Sequence, residues 1–182
     1  MVKDFKIRIE NIVASASMNV VIPLEKIVKK MEGMEYEPEQ FPGLVYRMEK
    51  PKAAALIFGS GKVVCTGARS ITDVKTVFKK VAKIVESLRI KVPRQYKTQI
   101  ENIVASARLD ALLNLDDIAF TLENSEYEPE QFPGLVYRME NPKVAFLLFG
   151  SGKIVCTGGR SIDDVKIAVV KLHKKLKSIK AM

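Results

Sequence analysis

Residues on which much enzyme chemistry depends are scarce in this 182-residue sequence. Histidine occurs once, at position 173, and cysteine twice, at 65 and 156. One histidine among the lysines of the last predicted helix is expected to be solvated, and no Ser/His/Asp or Cys/His set can be built around it. No CxxC pair or Cys/His cluster occurs, so no metal site and no cofactor are implied. Each cysteine lies in the same short phrase, VVCTG or IVCTG, and equivalent positions of two copies need not be neighbours. Two buried free thiols are expected rather than a disulfide. GSGK resembles a phosphate loop only superficially. Leu56 or Leu147 stands where the first glycine should be, and Val63 or Ile154 follows the lysine. The reading is therefore of a protein that is not an enzyme.

Long apolar runs are also missing. The longest, Ala53 to Phe58 and Val144 to Phe149, fall far short of the ~20 residues that span a bilayer. The start, MVKDFKIRIE, is too polar for a signal peptide. No Gly/Ser or Pro tract and no low-complexity run is present, while 47% of residues are hydrophobic. A folded, soluble, intracellular (cytoplasmic) protein is expected. The net charge of +9 is concentrated in the first half. A basic balance favours a polyanionic partner through counterion release, but is weak evidence alone.

The chain is a tandem duplication. IENIVASA begins at Ile9 and Ile100, YEPEQFPGLVYRME at Tyr36 and Tyr127, and FGSGK at Phe58 and Phe149, always 91 residues apart. About 48 of the 82 aligned pairs are identical and no gap is needed, so residues 1–91 and 92–182 read as two similar halves of one domain. Two copies are too few for a solenoid.

Within each half, Lys6 to Ala16 alternates as a strand does. Leu24, Ile27, Val28 and Met31 share a helix face that Gly33 ends. Tyr36 to Phe41 reads as extended, punctuated by Pro38 and Pro42. Leu44 to Met48, Ala53 to Phe58 and Lys62 to Thr66 are short strands joined by turns at Lys50-Pro51 and Gly59-Ser60-Gly61. Ser70 and Asp73 open a long helix, as Ser161 and Asp164 do in the second copy. Its buried face continues through Val74, Val77, Phe78, Val81, Ile84, Val85 and Leu88. The class is α+β with an antiparallel sheet.

Two helices cover one face of such a sheet, and the other is usually polar. Here both alternating sets of Ala53 to Phe58 are apolar. Another sheet, a dimer partner or a shallow apolar ligand would each satisfy that second face. Basic residues flank these strands in matched pairs: Arg47, Lys62 and Arg69, then Arg138, Lys153 and Arg160. An apolar floor with a cationic rim suits a DNA minor groove. Phe41 and Phe132 stand beside Pro and Gly at a turn, poorly placed for a core, and Phe58 and Phe149 end a strand just before GSGK.

QFPGLVYRMENPKVAFLLFGSGKIVCTG, the ENIVASA phrase and the 91-residue duplication resemble the TATA-box-binding protein family over essentially the whole chain. With no long N-terminal extension, the likeness is to archaeal members. The resemblance implies a saddle: a curved ten-stranded antiparallel sheet from two pseudo-symmetric repeats, with the helices on its convex face and double-stranded DNA under its concave face. This family is itself the type case of minor-groove kinking by apolar wedges. The resemblance makes Phe41 with Phe58, and Phe132 with Phe149, the intercalating pairs. Asn11 and Asn102, helped by Thr66 and Thr157, would bond to base acceptors. Val13, Val104, Val64, Val155, Leu56 and Leu147 would form the apolar floor. Arg47, Lys62, Arg69, Arg138, Lys153 and Arg160 would hold phosphates, with Ser60 and Ser151 assisting. Adenine N3 and thymine O2 are minor-groove acceptors and the guanine amino group obstructs, which favours A·T pairs.

A second site is implied by the YEPEQ segments. Carboxylates at period two on extended chain, Glu35, Glu37 and Glu39 and again Glu126, Glu128 and Glu130, would share one outward face. They also suit a solubilising edge. The resemblance implies that Glu128, Glu130 and Gln131 dock transcription factor B, and through it RNA polymerase. The first half carries the same residues, so sequence alone does not choose the contact face. Lysines of the long helices, Lys75, Lys79, Lys80 and Lys83, and Lys171, Lys174, Lys175 and Lys177, are expected on a solvated face. The chain ends KSIKAM where many archaeal members carry an acidic tail. Near-identical halves imply weak directionality on a near-palindromic site. A monomer on DNA, able to dimerise off it, is expected in the nucleoid. The rival readings are a single-strand-binding sheet, whose exposed aromatics stack bases, and a protein-interaction module.

Overall fold

Two rounds of one element order fill the residues that the computed structural model describes, 5–182. The first round is β1 (Arg8–Ser17), α1 (Leu24–Lys30), β2 (Met34–Glu35), β3 (Leu44–Glu49), β4 (Lys52–Ile57), β5 (Lys62–Ala68) and α2 (Ile71–Glu86). The second is β6 (Lys97–Arg108), α3 (Leu115–Thr121), β7 (Ser125–Glu126), β8 (Leu135–Met139), β9 (Val144–Leu148), β10 (Lys153–Gly159) and α4 (Ile162–Ser178). The class is α+β. All ten strands belong to one sheet, in the order β2-β3-β4-β5-β1-β6-β10-β9-β8-β7. The chain forms two compact units. One is Asn11–Glu101; the other is Asn102–Met182 together with the start of the chain through Glu10.

In the Asn11–Glu101 unit, alternation sorts the strands into two faces. Ile12, Ala14 and Ala16 of β1, Ala53, Ala55 and Ile57 of β4, and Val63 and Cys65 of β5 are buried. They lie on the helix side, where α2 packs on β4 and β5. Its stripe of Val74, Val77, Phe78, Val81, Ile84 and Val85 is buried in return. The Ser70 hydroxyl accepts from the Asp73 amide at 3.0 Å, a cap worth ~1 kcal/mol. The other unit repeats the scheme with Ile103, Ala105, Phe146, Leu148, Ile154 and Cys156 against Val165, Ala168, Val169, Leu172 and Leu176. Ser161 caps α4 on the Asp164 amide at 3.0 Å.

The two cores trade volume between layers. The first unit buries its large aromatic on the helix, Phe78, and a small Ala55 on the sheet. The second buries it on the strand, Phe146, with the smaller Val169 on the helix. Each swap offsets the other, which is the kind of core change that proteins tolerate best.

Several expectations need correction. Tyr36 to Phe41 is not extended throughout. The amides of Gln40 and Phe41 both donate to the Glu37 carbonyl at 2.9 Å, and those of Gln131 and Phe132 to Glu128 at 3.0 Å. Pro38 sits one residue past the start of this turn, where its fixed φ is favourable, so it bends the chain rather than extending it. Glu35, Glu37 and Glu39 therefore do not share a face by alternation, although each is exposed. β1 begins at Arg8 rather than Lys6, because Lys6 adopts φ 49°. His173 is not simply solvated: its ring packs on Phe5 with centroids 4.9 Å apart. Lys80 and Lys171 lie on the solvated side as expected, and each also makes a hydrogen bond there. Lys80 donates to the Lys50 carbonyl, and Lys171 to the Asn141 carbonyl at 2.8 Å. Each ties a long helix to the far turn of the adjacent hairpin.

Candidate nucleic-acid interface

The face of each sheet unit that no helix covers is largely apolar. Register aligns Val45, Leu56, Val64 and Ser15 across β3, β4, β5 and β1, and all four are half-buried. The second unit aligns Val136, Leu147, Val155 and Ser106 in the same way. A parallel row runs Arg47, Ala54, Thr66, and then Arg138, Ala145, Thr157. Val13 and Val104 continue the floor on β1 and β6. The expected floor residues thus lie together within each unit. Val45 and Val136 belong to it as well, and their alternation with buried Leu44 and Leu135 was readable in the sequence.

A bulge sets the polar centre of each face. Ile12 pairs with Ala68 but Ala14 with Cys65, so β5 carries one extra residue there, with Gly67 at φ 86°. β10 does the same around Gly158 at φ 97°. Such a φ favours glycine, and the extra residue leaves the ladder. Its amide is taken by a side chain instead: Gly67 donates to Asn11 Oδ1 and Gly158 to Asn102 Oδ1, both at 2.7 Å. A backbone N–H can only donate, so it fixes which end of each Asn amide faces it. The amino groups are left for other acceptors; Asn102 Nδ2 also reaches Thr157 Oγ1 at 3.4 Å. Sequence reasoning named the asparagines but not the glycines that orient them, although TG recurs at 66–67 and 157–158.

Hydroxyls on the same face are also engaged. Ser15 Oγ donates to Glu101 Oε1 in one unit and Ser106 Oγ to Glu10 Oε1 in the other, both at 2.6 Å. These four residues were not singled out from sequence.

The phenylalanines pair as expected. Phe41 and Phe58 meet edge to face with centroids 5.7 Å apart and planes at 70°. Phe132 and Phe149 meet at 5.9 Å and 69°. Phe41 and Phe132 are 38% and 40% exposed, far more than a core aromatic. A glycine underlies each pair. A Cβ on Gly43 would lie 2.6 Å from Phe41 and 3.1 Å from Phe58, and one on Gly134 2.7 Å from Phe132 and 3.0 Å from Phe149. The turn after β4 is held by Phe58 N to Lys62 O at 2.9 Å and Gly61 N to Phe58 O at 3.0 Å. At that turn a Cβ on Gly61 would collide with the Val20 carbonyl at 2.3 Å, so its φ of 90° and its bareness are both needed.

Arg47, Lys62, Arg69, Arg138, Lys153 and Arg160 are all exposed. Arg47 lies 3.8 Å from Glu35, with both side chains about two-thirds in solvent, so that pair contributes little. Ser60 and Ser151 lie in the turns before Lys62 and Lys153, whose amides reach their hydroxyls at 3.4 Å. Glu128, Glu130 and Gln131 are exposed around the Glu128 turn. Both cysteines are free and buried; burial pushes the Cys65 thiol up to about 11 and the Cys156 thiol up to about 12. Among the described residues no three metal-ligating side chains gather, and no helix is long and apolar enough to cross a membrane.

The family model described as "Transcription factor TFIID (or TATA-binding protein, TBP)" matches residues 6–88 and again 97–179. The chain belongs to the TATA-binding protein family. The two matched stretches are 91 residues apart, the period of the duplication. Curated relatives span nearly the same length. The TATA-box-binding protein of Methanothermobacter thermautotrophicus is 53% identical over 173 residues, covering 95% of this chain and 96% of the relative. That of Archaeoglobus fulgidus is 50% identical over 182 residues, covering 99% and 100%. The solved structure of Methanococcus jannaschii TBP superposes with a TM-score of 0.87 at 50% identity, over 97% of this chain and 99% of that one. The two-repeat architecture and the archaeal affinity expected from the sequence are thereby shown.

Proposed function

We propose that this chain is a general initiation factor that binds the minor groove of A·T-rich, TATA-like promoter DNA and has no catalytic activity. One observation carries the reading. On a largely apolar, helix-free sheet face, an asparagine in each half has its oxygen occupied by a glycine amide, which turns its amino group to donation. Minor-groove A·T edges offer only acceptors, and the guanine amino group would meet this donor with another donor. The apolar floor would lie on sugars and base edges. The edge-to-face phenylalanine pairs would enter base steps and kink the duplex, one pair per half. Arg47, Lys62 and Arg69, and Arg138, Lys153 and Arg160, would hold phosphates. Residues 1–91 and 92–182 would each serve half of the element, and the protein would bind as a monomer inside the cell.

The exposed Glu128, Glu130 and Gln131 would dock transcription factor B, which brings RNA polymerase. Carboxylates on a turn beside the duplex repel phosphate and suit a basic protein partner.

A fluorescence-energy-transfer titration with end-labelled duplexes tests the reading. Tight binding with end-to-end shortening is expected on an A·T box and not on a G·C replacement at the same salt. Equal, weak binding without shortening on both would reduce the claim to a basic sheet with nonspecific affinity.

A further inference from the structure

Apart from the wedge residues Phe41 and Phe132, four large hydrophobic side chains among the described residues stand in solvent: Val21, Leu112, Phe120 and Ile167. Three of the four belong to the unit that holds Asn102–Met182. Phe120 on α3 is 95% exposed and Ile167 on α4 is 49% exposed. The duplication shows that the fold needs neither, because the matching positions of the first half hold Lys29 and Thr76. A single apolar residue on a surface is ordinary, but here each stands beside charge of one sign.

On α3, Asp116 and Asp117 precede Phe120 by four and three residues, so all three share one side of the helix. Glu123 follows, and no cation lies between Leu115 and Glu123. On α4, Ile167, Lys171 and Lys174 recur at i, i+4 and i+7 and form one exposed stripe. No acidic residue follows Asp164. Among the described residues, neither aspartate has a Lys or Arg within 4.0 Å, and neither lysine has a carboxylate within 4.0 Å. Thus α3 offers an aromatic beside carboxylates, and α4 an aliphatic beside ammonium groups. These patterns complement each other, and both lie in one compact unit. The first half lacks the match. There α1 carries Lys26 and Lys29 in place of Asp117 and Phe120, and α2 carries Lys80 and Lys83, so cation would face cation.

We infer that this unit is a self-association surface, on which α3 of one copy packs against α4 of a second copy of the chain. A patch that holds both partners of a contact closes at two copies, α3 on α4 and α4 on α3. Phe120 anchors the contact against the Ile167 stripe, and carboxylates meet lysines at its rim. The sheet side of α4 is already engaged with β10, so the contact uses its outer side. The uncovered sheet face takes no part. A dimer therefore keeps two such faces open and can hold two duplexes at once. Only that last step rests on the minor-groove reading.

Sedimentation velocity over a concentration series, with and without an A·T duplex, tests this. The parent is expected to show a monomer–dimer equilibrium that weakens as salt rises and persists with duplex bound. Phe120→Lys and Ile167→Thr, each copying the residue of the first half, weaken dimerisation about tenfold. Asp116→Lys and Lys174→Glu weaken it about threefold each, and the two together, which exchange the charges, recover the parent value. All four positions are exposed, so melting temperature and duplex affinity stay at parent values. A parent that remains monomeric at every concentration overturns the inference and leaves the acidic face of α3 to a basic protein of another kind. Variants that dimerise as the parent does overturn it as well. So does a dimer that the duplex dissolves, since that dimer uses the uncovered face. A dimer that responds to the variants but takes up no duplex keeps the self-association and refutes the DNA reading instead.

Discussion

Asn102 turns its side-chain oxygen onto the backbone amide of Gly158 at 2.7 Å, which commits the other end of its amide to donation. Asn102→Asp keeps the acceptor that Gly158 needs and removes both donors. It also faces the base acceptors with negative charge. Affinity for an A·T box should fall by about 10- to 100-fold with little change in melting temperature. Filter binding on A·T and G·C duplexes checks this; undiminished preference for A·T would remove Asn102 from base reading.

Gly134 has an ordinary φ, so its backbone accepts alanine, but the space above it does not. The added methyl would press on both Phe132 and Phe149. Gly134→Ala should keep the fold, displace the ring pair and reduce the bend while leaving nonspecific affinity nearly intact. End-to-end energy transfer reports the bend directly, and an unaltered bend angle would mean that ring geometry does not matter.

Phe149→Ala and Lys153→Ala should separate two kinds of contact. The first should lose bending more than nonspecific binding. The second should weaken every duplex about equally and reduce the salt slope by about one unit. Equal loss of bending in both would contradict the division of roles.

The core offers a test free of DNA. Ala55→Phe in the first unit should overpack by ~1–3 kcal/mol, and Phe78→Val should leave a cavity of similar cost. Made together they copy the arrangement of Phe146 and Val169, and the double variant should be more stable than the sum of the singles. Denaturant unfolding of all four proteins closes the cycle; strict additivity would show that the two sites do not share space.

The raised cysteine pKa values predict a pH dependence of definite sign. Above about pH 9 the unfolded chain loses its thiol protons while the folded chain keeps them, until Cys65 titrates at about 11 and Cys156 at about 12. Stability should therefore be indifferent to these groups below pH 9 and fall as pH rises above it. Neither thiol should react with a disulfide reagent at pH 8 unless the protein is unfolded. Replacing both cysteines by alanine should remove the thiol-dependent part of the alkaline loss.

Local signals made much of this legible in advance. Alternation gave the strands, and Ser70 with Asp73 and Ser161 with Asp164 gave the long helices. The duplication told each half from the other. What escaped depends on partners far away in sequence. The turn at Glu37 reads as extended chain until its carbonyl is seen accepting two amides. Gly67 and Asn11 are 56 residues apart, and nothing near either announces the bulge that joins them. His173 was read among its helix neighbours, whereas its ring meets Phe5 from the other end of the chain.

The traded aromatics carry a longer consequence. In most proteins the interior is guarded and the exterior drifts. Here, comparing one half with the other, the uncovered sheet face has been kept at every strand position from Asn11 onward but Ser17 against Arg108, while parts of the interior, such as Ala55 with Phe78 against Phe146 with Val169, were rewritten beneath it. Since the ancestral unit was copied, whatever touches the uncovered face has acted as the stricter editor, and the core has needed only to fill the same volume.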